Sequence, residues 1–187
     1  KIDASTKAIS VVHYGGHPCD MDAILPIARK HNLAVIEDAA HAVGAFLHGP
    51  DSVRRCGTMG DLGCFSFFAN KNLVTGEGGM IITNRDDLAE SIRSLRSHGM
   101  TTLTWDREQG HSFSYDVVGL GYNYRIDEIR SAIGLVQLKK LDENNRKRAY
   151  LTKYNMRKLG NVEEICIPFQ QAKEGSSYHI FPIVLNQ

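Results

Sequence analysis

Short apolar runs alternate with helical patterns along the first part of the chain. Residues 7–13 form a run rich in β-branched side chains, and residues 33–36 form a second run that is apolar at every position. Between them, residues 21–32 carry apolar side chains at helical spacing, directly after Asp20, a residue type that favours the start of a helix. A strand, a helix and a strand in this order predict two parallel strands joined by a right-handed crossover.

A glycine-rich turn separates the next two predicted strands and follows a lysine. The strands are residues 64–68 and 80–83, and Lys71 lies between the first strand and the turn at residues 76–79. An amine beside packed aromatic side chains is partly desolvated, which favours its neutral form, and the neutral amine is the nucleophile that attacks carbonyl groups. A single lysine is by default interpreted as a solvated loop cation, so the cofactor interpretation needs a second signal.

The second signal is the acidic end of the run at residues 33–36. Asp38 lies two residues beyond that run. In open α/β sheets, ligands bind outside the carboxyl ends of the strands. A carboxylate in this position can pair with the protonated ring nitrogen of pyridoxal 5′-phosphate (PLP). Lys71 and Asp38 together therefore predict a PLP site.

The second part of the chain is predicted to be mainly helical. Helices are expected at residues 86–98, 127–142 and 143–159, with a polar connection at residues 100–114 that contains Trp105, and a strand is expected at residues 178–185. Trp105 is interpreted as either a substrate contact or an anchor of its loop. A chain of 187 residues with 42% hydrophobic residues can bury the core of about one domain.

Charge and composition exclude several classes of partner. The 22 basic and 21 acidic residues leave a net charge of +1, without the basic excess that is typical of nucleic-acid-binding proteins. No apolar run reaches the roughly 18 residues that a membrane span needs, and no apolar signal segment is present at the start. We therefore expect a cytoplasmic protein that binds neither nucleic acid nor membrane.

The histidines and cysteines do not predict a metal site. His13 and His17 flank the pair Gly15-Gly16, so they lack the helical spacing that would bring two ligands together. The four cysteines have no framework spacing, which indicates reduced thiols rather than disulfides.

Three segments, in order, resemble the DegT/StrS family of PLP-dependent sugar aminotransferases. They are Glu37–Gly44, Phe65–Gly79 and Gly121–Ile129, and the resemblance extends from about Thr6 to Phe181. It implies an α/β fold, namely the large domain of PLP-dependent transferases of fold type I, with a mostly parallel sheet and flanking helices. Residues 1–159 are then expected to form this large domain, and residues 160–187 the start of a small α/β domain.

The resemblance implies roles for individual residues. Lys71 would be the Schiff-base lysine, Asp38 the partner of the ring nitrogen, and His41 a neighbour of the phenolic oxygen of PLP. Ser66, a hydroxyl inside an apolar strand, needs a hydrogen-bond partner. The family implies the PLP phosphate, although a backbone carbonyl would satisfy it equally.

Further implied roles concern a second subunit and the substrate. Asn123 would reach the phosphate of the cofactor in the other subunit, which predicts a homodimer with shared active sites. Arg125 is interpreted either as a contact to an acidic substrate group or as one half of a salt bridge at a helix start. The resemblance also places His13 and Tyr14 near the cofactor side of the sheet.

The implied reaction moves an amino group from an amino acid, with glutamate expected, to the keto group of a nucleotide-linked sugar. Such reactions belong to the biosynthesis of deoxyamino sugars, cell-surface polysaccharides and antibiotic sugars. Two alternatives remain. One is a sugar dehydratase of the same fold, in which the Schiff-base lysine is replaced, commonly by histidine. The other is a truncated, non-catalytic protein, because a full family member has further segments on both sides of these residues.

Overall fold

The computed structural model describes residues 2–49, 52–101, 114–170 and 175–186. Trp105 lies outside these residues. The chain forms two compact units: one consists of Lys1–Ile82 with Glu128–Gln187, and the other of Thr83–Asp127. The predicted boundary between residues 159 and 160 stays a prediction.

Eight strands and three α-helices are present in the described residues. The strands are β1 (Ala8–Val12), β2 (Ala34–Asp38), β3 (Phe46–His48), β4 (Val53–Arg55), β5 (Leu62–Ser66), β6 (Gly79–Ile82), β7 (Ile165–Cys166) and β8 (Val184–Leu185). The helices are α1 (Met21–Lys30), α2 (Asp86–Leu95) and α3 (Glu128–Leu159), and Tyr14–Gly16 form a short 3-10 helix. None of these helices is long and apolar enough to cross a membrane.

The main sheet has the strand order β1-β2-β5-β6. Strands β1, β2 and β5 run parallel, and β6 returns antiparallel beside β5. The predicted strand-helix-strand unit is confirmed as β1-α1-β2, and α1 begins where Asp20 Oδ1 accepts a hydrogen bond of 3.0 Å from the N–H of Ala23. The α/β prediction with a mostly parallel sheet is therefore confirmed.

Two of the three apolar clusters in the described residues involve helices of the unit that contains the main sheet. The first cluster packs α1 on the sheet through Val11, Met21, Ala28, Val35 and Leu47. The second cluster joins the loop after β5 to α3 through Val43, Phe67, Leu73 and Leu141. Since Leu73 lies two residues after Lys71, burial of this cluster fixes the chain on the carboxyl side of the lysine.

The prediction of two separate helices at residues 127–142 and 143–159 is wrong, because Glu128–Leu159 form one continuous helix, α3. No glycine or proline lies at the predicted junction, and the charged side chains there are compatible with a solvated helix surface.

The predicted strand at residues 178–185 is also shorter than expected. Only Val184–Leu185 form a strand, which pairs with β7. The preceding residues instead bond to the 3-10 helix: the N–H of Ser177 donates to the carbonyl of Gly16 at 3.1 Å, and the N–H of His179 donates to that of Gly15 at 2.9 Å. These backbone bonds replace a strand ladder and bring His179 toward the end of β2.

Candidate active site

Asp38 is the last residue of β2, between Val12 of β1 and Cys64 of β5 in the register of the sheet. Its carboxylate is half-buried, and Oδ1 accepts a hydrogen bond of 3.0 Å from the N–H of Ala40. Among the described residues, the other carboxylate oxygen has no hydrogen-bond partner. Asp38 can therefore still accept a hydrogen bond from a protonated nitrogen.

Burial and the charge of Asp38 affect the pKa of the Cys64 thiol. Burial raises its pKa, and the charge of Asp38 raises it further. The neighbour of Asp38 on β5 is therefore a neutral thiol, which adds no second negative charge beside the carboxylate.

Glu37, one residue earlier, points to the opposite face because side chains alternate along a strand. It is fully buried, and its two oxygens accept four hydrogen bonds. Oε2 contacts His13 Nε2 at 2.9 Å and accepts from the N–H of Gly57 at 2.7 Å. Oε1 accepts from the N–H groups of Met59 and Gly60 at 2.6 and 2.5 Å. Glu37 thus ties β2 to the loop that precedes β5.

The pKa of Glu37 reflects this environment. Burial alone would raise it, but the hydrogen bond from His13 and those from the three backbone N–H groups outweigh burial and lower it. Sequence reasoning noticed two consecutive carboxylates and did not assign this role to Glu37. The available signal was the alternation of side chains along β2, which places Glu37 and Asp38 on opposite faces of the sheet.

This pairing also corrects the expectation for His13. The imidazole is fully buried, its Nδ1 accepts from the N–H of Cys19 at 3.0 Å, and its Nε2 donates to Glu37. His13 therefore lies on the face of Glu37, not on that of Asp38. Tyr14 differs, since its ring centroid lies 6.1 Å from that of His41.

Lys71 lies in the loop between β5 and β6, where its N–H donates to the carbonyl of Phe68 at 3.0 Å. Lys71 is half-buried, and the next two residues, Asn72 and Leu73, are buried. Within the described residues its amino group has neither a salt bridge nor a hydrogen bond. The packing of its neighbours positions Lys71, while the amine itself stays available.

His41 and His179 form a stacked pair of imidazoles. Their ring centroids are 4.3 Å apart, with an angle of 29° between the planes. Burial lowers the pKa of His41, and the charge of Lys71 lowers it further, while Asp38 acts in the opposite direction. His41 is therefore close enough to sense both predicted cofactor contacts, and it is neutral at physiological pH.

His179 is the second member of this pair. Burial lowers its pKa to about 4, with further contributions from His41, Lys71 and Arg148. Its Nδ1 lies 3.0 Å from Oδ1 of Asn72, the residue that follows Lys71. No local sequence pattern connects two residues 107 positions apart, so only the fold identifies this contact.

Ser66 is the last residue of β5 and pairs with Gly79 of β6. Its Oγ accepts a hydrogen bond of 3.4 Å from the N–H of Phe68. The hydroxyl oxygen is thus used locally, whereas the O–H group remains available as a donor to an anion.

Asn123 and Arg125 belong to the unit of residues 83–127. Both are exposed, and Asn123 forms an antiparallel bridge with Ser97 in the same unit. Their roles stay predictions.

The side chains at the carboxyl ends of β2 and β5 fit PLP in chemical type. Asp38 has a free carboxylate oxygen for a ring nitrogen, Lys71 a free amine for an aldehyde, and Ser66 a hydroxyl donor for a phosphate. His41 adds a neutral imidazole in the same unit. Within the described residues, no group of three or more histidine, cysteine, aspartate or glutamate side chains has the arrangement of a metal site.

Comparison with known proteins identifies the family of the chain. The family model described as DegT/DnrJ/EryC1/StrS aminotransferase family matches residues 1–187. An uncharacterized protein of Methanocaldococcus jannaschii is 41% identical over 186 residues, which are 99% of this chain and 47% of the relative. GDP-perosamine synthase of Caulobacter vibrioides is 46% identical over 161 residues, which are 86% of this chain and 40% of the relative.

A solved structure gives the same result. PseC of Helicobacter pylori, an aminotransferase involved in the biosynthesis of pseudoaminic acid, superimposes with a TM-score of 0.88 at 32% sequence identity. The match covers 100% of this chain and 47% of PseC, so the chain spans about half the length of the relatives it matches. The neighbours are PLP-dependent aminotransferases of fold type I, which confirms the predicted fold class. The chain belongs to the DegT/DnrJ/EryC1/StrS aminotransferase family.

Proposed function

We propose that the protein containing this chain is a PLP-dependent aminotransferase that transfers an amino group from an amino acid to the keto group of a nucleotide-linked sugar. The observation that carries the proposal is the pair of available groups at neighbouring parallel strands: the free oxygen of Asp38 at the end of β2 and the free amine of Lys71 in the loop after β5. The names of two similar proteins, GDP-perosamine synthase and PseC, an aminotransferase of pseudoaminic acid biosynthesis, support the sugar substrate.

PLP, when bound, supplies an electron sink for the carbon that gains or loses the amino group. Asp38 would hold the protonated ring nitrogen through its free oxygen, and its charge would keep that nitrogen protonated. His41 would contact the phenolic oxygen, and Ser66 would donate its O–H to the phosphate. Each role uses a group that the chain itself leaves unpaired or neutral.

Lys71 has two tasks in this proposal. Its Nζ would hold the cofactor through the aldehyde carbon, and once the amine of the amino donor has displaced it, the same Nζ would accept and return the proton of the carbon that carries the amino group. The half-buried position of Lys71 suits both tasks, because burial of its neighbours limits the motion of the side chain. An available lysine also favours the aminotransferase over the dehydratase, in which this residue is replaced.

We further propose a homodimer with shared active sites, in which Asn123 reaches the phosphate in the other subunit. Exposed apolar side chains on α3 support a covering partner chain: Ile129, Leu135 and Leu138 have exposed fractions of 77%, 66% and 55%. Arg125 is exposed and is proposed to bind an acidic group of the substrate.

The proposal also includes an amino donor, a second domain and a cellular location. Glutamate is the proposed amino donor, and residues 160–187 are proposed to begin a smaller domain of the complete protein. The cytoplasm is the proposed location, supported by the unpaired thiols of Cys19, Cys56, Cys64 and Cys166, because disulfides are rare there.

The proposal is tested by following nitrogen from donor to sugar. Purified protein is incubated with PLP, ¹⁵N-glutamate and a panel of nucleotide-linked keto sugars, and the products are analysed by mass spectrometry. We expect ¹⁵N in one amino sugar, no transfer by Lys71→Ala, and unchanged transfer by Lys139→Ala, which removes an exposed lysine of α3. A deoxygenated sugar without nitrogen would indicate the dehydratase, and transfer by Lys71→Ala would contradict the role of Lys71.

A further inference from the structure

A chain of side-chain amides links α3 to the loop of Lys71. Nδ2 of Asn145 donates to the carbonyl of Val43 at 3.0 Å, and its Oδ1 accepts from Nδ2 of Asn72 at 2.8 Å. Nδ2 of Asn72 also donates to the carbonyl of Ser177 at 2.7 Å. Because a carbonyl oxygen can only accept, the two backbone contacts fix the orientation of both amides.

The orientation of Asn72 determines the tautomer of His179. Oδ1 of Asn72 is an acceptor, and it lies 3.0 Å from Nδ1 of His179, so Nδ1 must carry the hydrogen. Burial and the charges of His41, Lys71 and Arg148 lower the pKa of the ring to about 4, so it is neutral at physiological pH. A neutral ring with its hydrogen on Nδ1 has a lone pair on Nε2.

His41 has the opposite tautomer. Its Nδ1 is the acceptor for the N–H of Gly15 at 3.4 Å, so the neutral ring carries its hydrogen on Nε2. The stacked pair therefore has one Nε2 acceptor, on His179, and one Nε2–H donor, on His41. Among the described residues neither Nε2 has a hydrogen-bond partner, and both rings interact electrostatically with Lys71.

We propose that Asn72 is a positioning residue of the active site: it fixes the His179 tautomer in which Nε2 is a hydrogen-bond acceptor near Lys71. The ligand groups that suit this acceptor are hydroxyl and ammonium donors, while the Nε2–H of His41 suits an oxygen acceptor. The inference deepens the proposed function and rests on it for the nature of the ligand, whereas the tautomer itself requires no cofactor.

A different hydrogen bond provides a matched control. Oγ of Ser177 donates to the carbonyl of His41 at 2.7 Å, and Ser177 is fully buried. Ser177→Ala removes one buried hydrogen bond of the segment that carries His179 without touching its imidazole. A purely structural role of Asn72 would lower stability in Asn72→Ala, as in Ser177→Ala, and would leave the tautomer of His179 unchanged in both.

The tautomer is read by long-range ¹H–¹⁵N NMR of protein labelled at histidine nitrogen, with the His179 signals assigned by their loss in His179→Gln. We expect a neutral Nδ1–H ring at pH 7 in the wild type and in Ser177→Ala. We expect a mixed or Nε2–H ring in Asn72→Ala. In Asn72→Asp the new carboxylate should raise the pKa of His179, against the opposing charges of His41, Lys71 and Arg148. An Nε2–H ring in the wild type would overturn the proposal, and this result does not depend on the folding of the Asn72 or Ser177 variants.

A second readout connects the tautomer to the reaction. The protein is loaded with PLP, glutamate is added, and the loss of the visible absorbance of the bound cofactor is timed. Loss of the hydrogen bond between Asn72 and His179 predicts a rate about tenfold lower in Asn72→Ala, with Ser177→Ala within about twofold of wild type. Equal slowing of both variants would contradict a positioning role. If the wild type itself fails to respond, the proposed function fails, while the NMR result still decides whether Asn72 fixes the tautomer.

Discussion

Glu37 and Asp38 are consecutive carboxylates on β2 with opposite environments. Glu37 is completely buried and both of its oxygens are saturated with hydrogen bonds. Asp38 is half-buried on the other face and has one oxygen with no partner among the described residues. The difference teaches that a buried carboxylate with every acceptor site used organises the fold, whereas one with an unused oxygen can bind a ligand.

The comparison predicts that Asp38→Asn strongly lowers the turnover rate and hardly changes the free energy of unfolding. The amide keeps the size of the side chain and its contact to Ala40, but it loses the charge that would hold a protonated ring nitrogen. We expect the turnover rate to fall about 10²–10³-fold, as for other preorganised electrostatic contacts. The free energy of unfolding should change by less than about 1 kcal/mol. Steady-state kinetics and urea unfolding measure the two quantities, and a large loss of stability would contradict the distinction from Glu37.

Glu37→Gln should have the reverse outcome. The new amide places N–H donors against the donors of His13 and of the loop at residues 57–60, and the buried charge is lost. We expect a loss of about 3–5 kcal/mol in the free energy of unfolding, measured by urea denaturation. Cofactor binding by the remaining folded protein should be little changed. A variant as stable as wild type would show that the four hydrogen bonds do not organise this loop.

The same carboxylate predicts a pH dependence of stability. The pKa of Glu37 is lowered by folding, so its contribution is complete above the unfolded value of about 4.3 and is lost as the pH falls toward the folded value. The difference in unfolding free energy between wild type and Glu37→Gln should therefore be constant near neutral pH and shrink below about pH 4. Unfolding curves recorded between pH 3 and 7 test this, and a difference that grows on acidification would contradict the sign.

Among the destabilising changes, alanine substitutions at two glycines should have the smallest effect on the free energy of unfolding. They test whether residues 175–179 pack on the 3-10 helix. Gly16 has φ of +90°, and a Cβ there would lie 2.2 Å from Oγ of Ser177 and 3.0 Å from the carbonyl of His41. Gly76 has nearly the same φ, +87°, but a Cβ would meet nothing within 4 Å. Gly76→Ala should cost about 1–2 kcal/mol from backbone strain alone, and Gly16→Ala should cost more. Equal losses in thermal unfolding would indicate that residues 175–179 do not pack on the 3-10 helix.

The sequence allowed prediction of the elements that depend on local pattern. The strand-helix-strand unit, the cap at Asp20 and the fold class are confirmed, because apolar period and capping chemistry act over a few residues. The positions of Asp38 at the end of β2 and of Lys71 in the loop after β5 were also predicted from where the apolar runs end. Their chemical roles stay predictions.

The remaining features depend on contacts between distant residues. The saturation of Glu37 requires the loop at residues 57–60 to fold around it, and the stacking of His179 on His41 requires residues 175–179 to bond to the 3-10 helix. Neither leaves a periodic signal in the sequence. The same is true of Asn72, whose significance follows from partners on α3 and on the segment of His179.

The most direct test of the central account is covalent trapping of the cofactor. The purified protein is incubated with PLP and reduced with borohydride, and the adduct is located by peptide mass spectrometry. The account predicts a single adduct at Lys71 in the wild type and in Glu37→Asp, a weaker adduct in Asp38→Asn, and none in Lys71→Ala. A folded wild-type protein that is labelled only at scattered surface lysines would contradict the assignment of Lys71 and Asp38 as a PLP site.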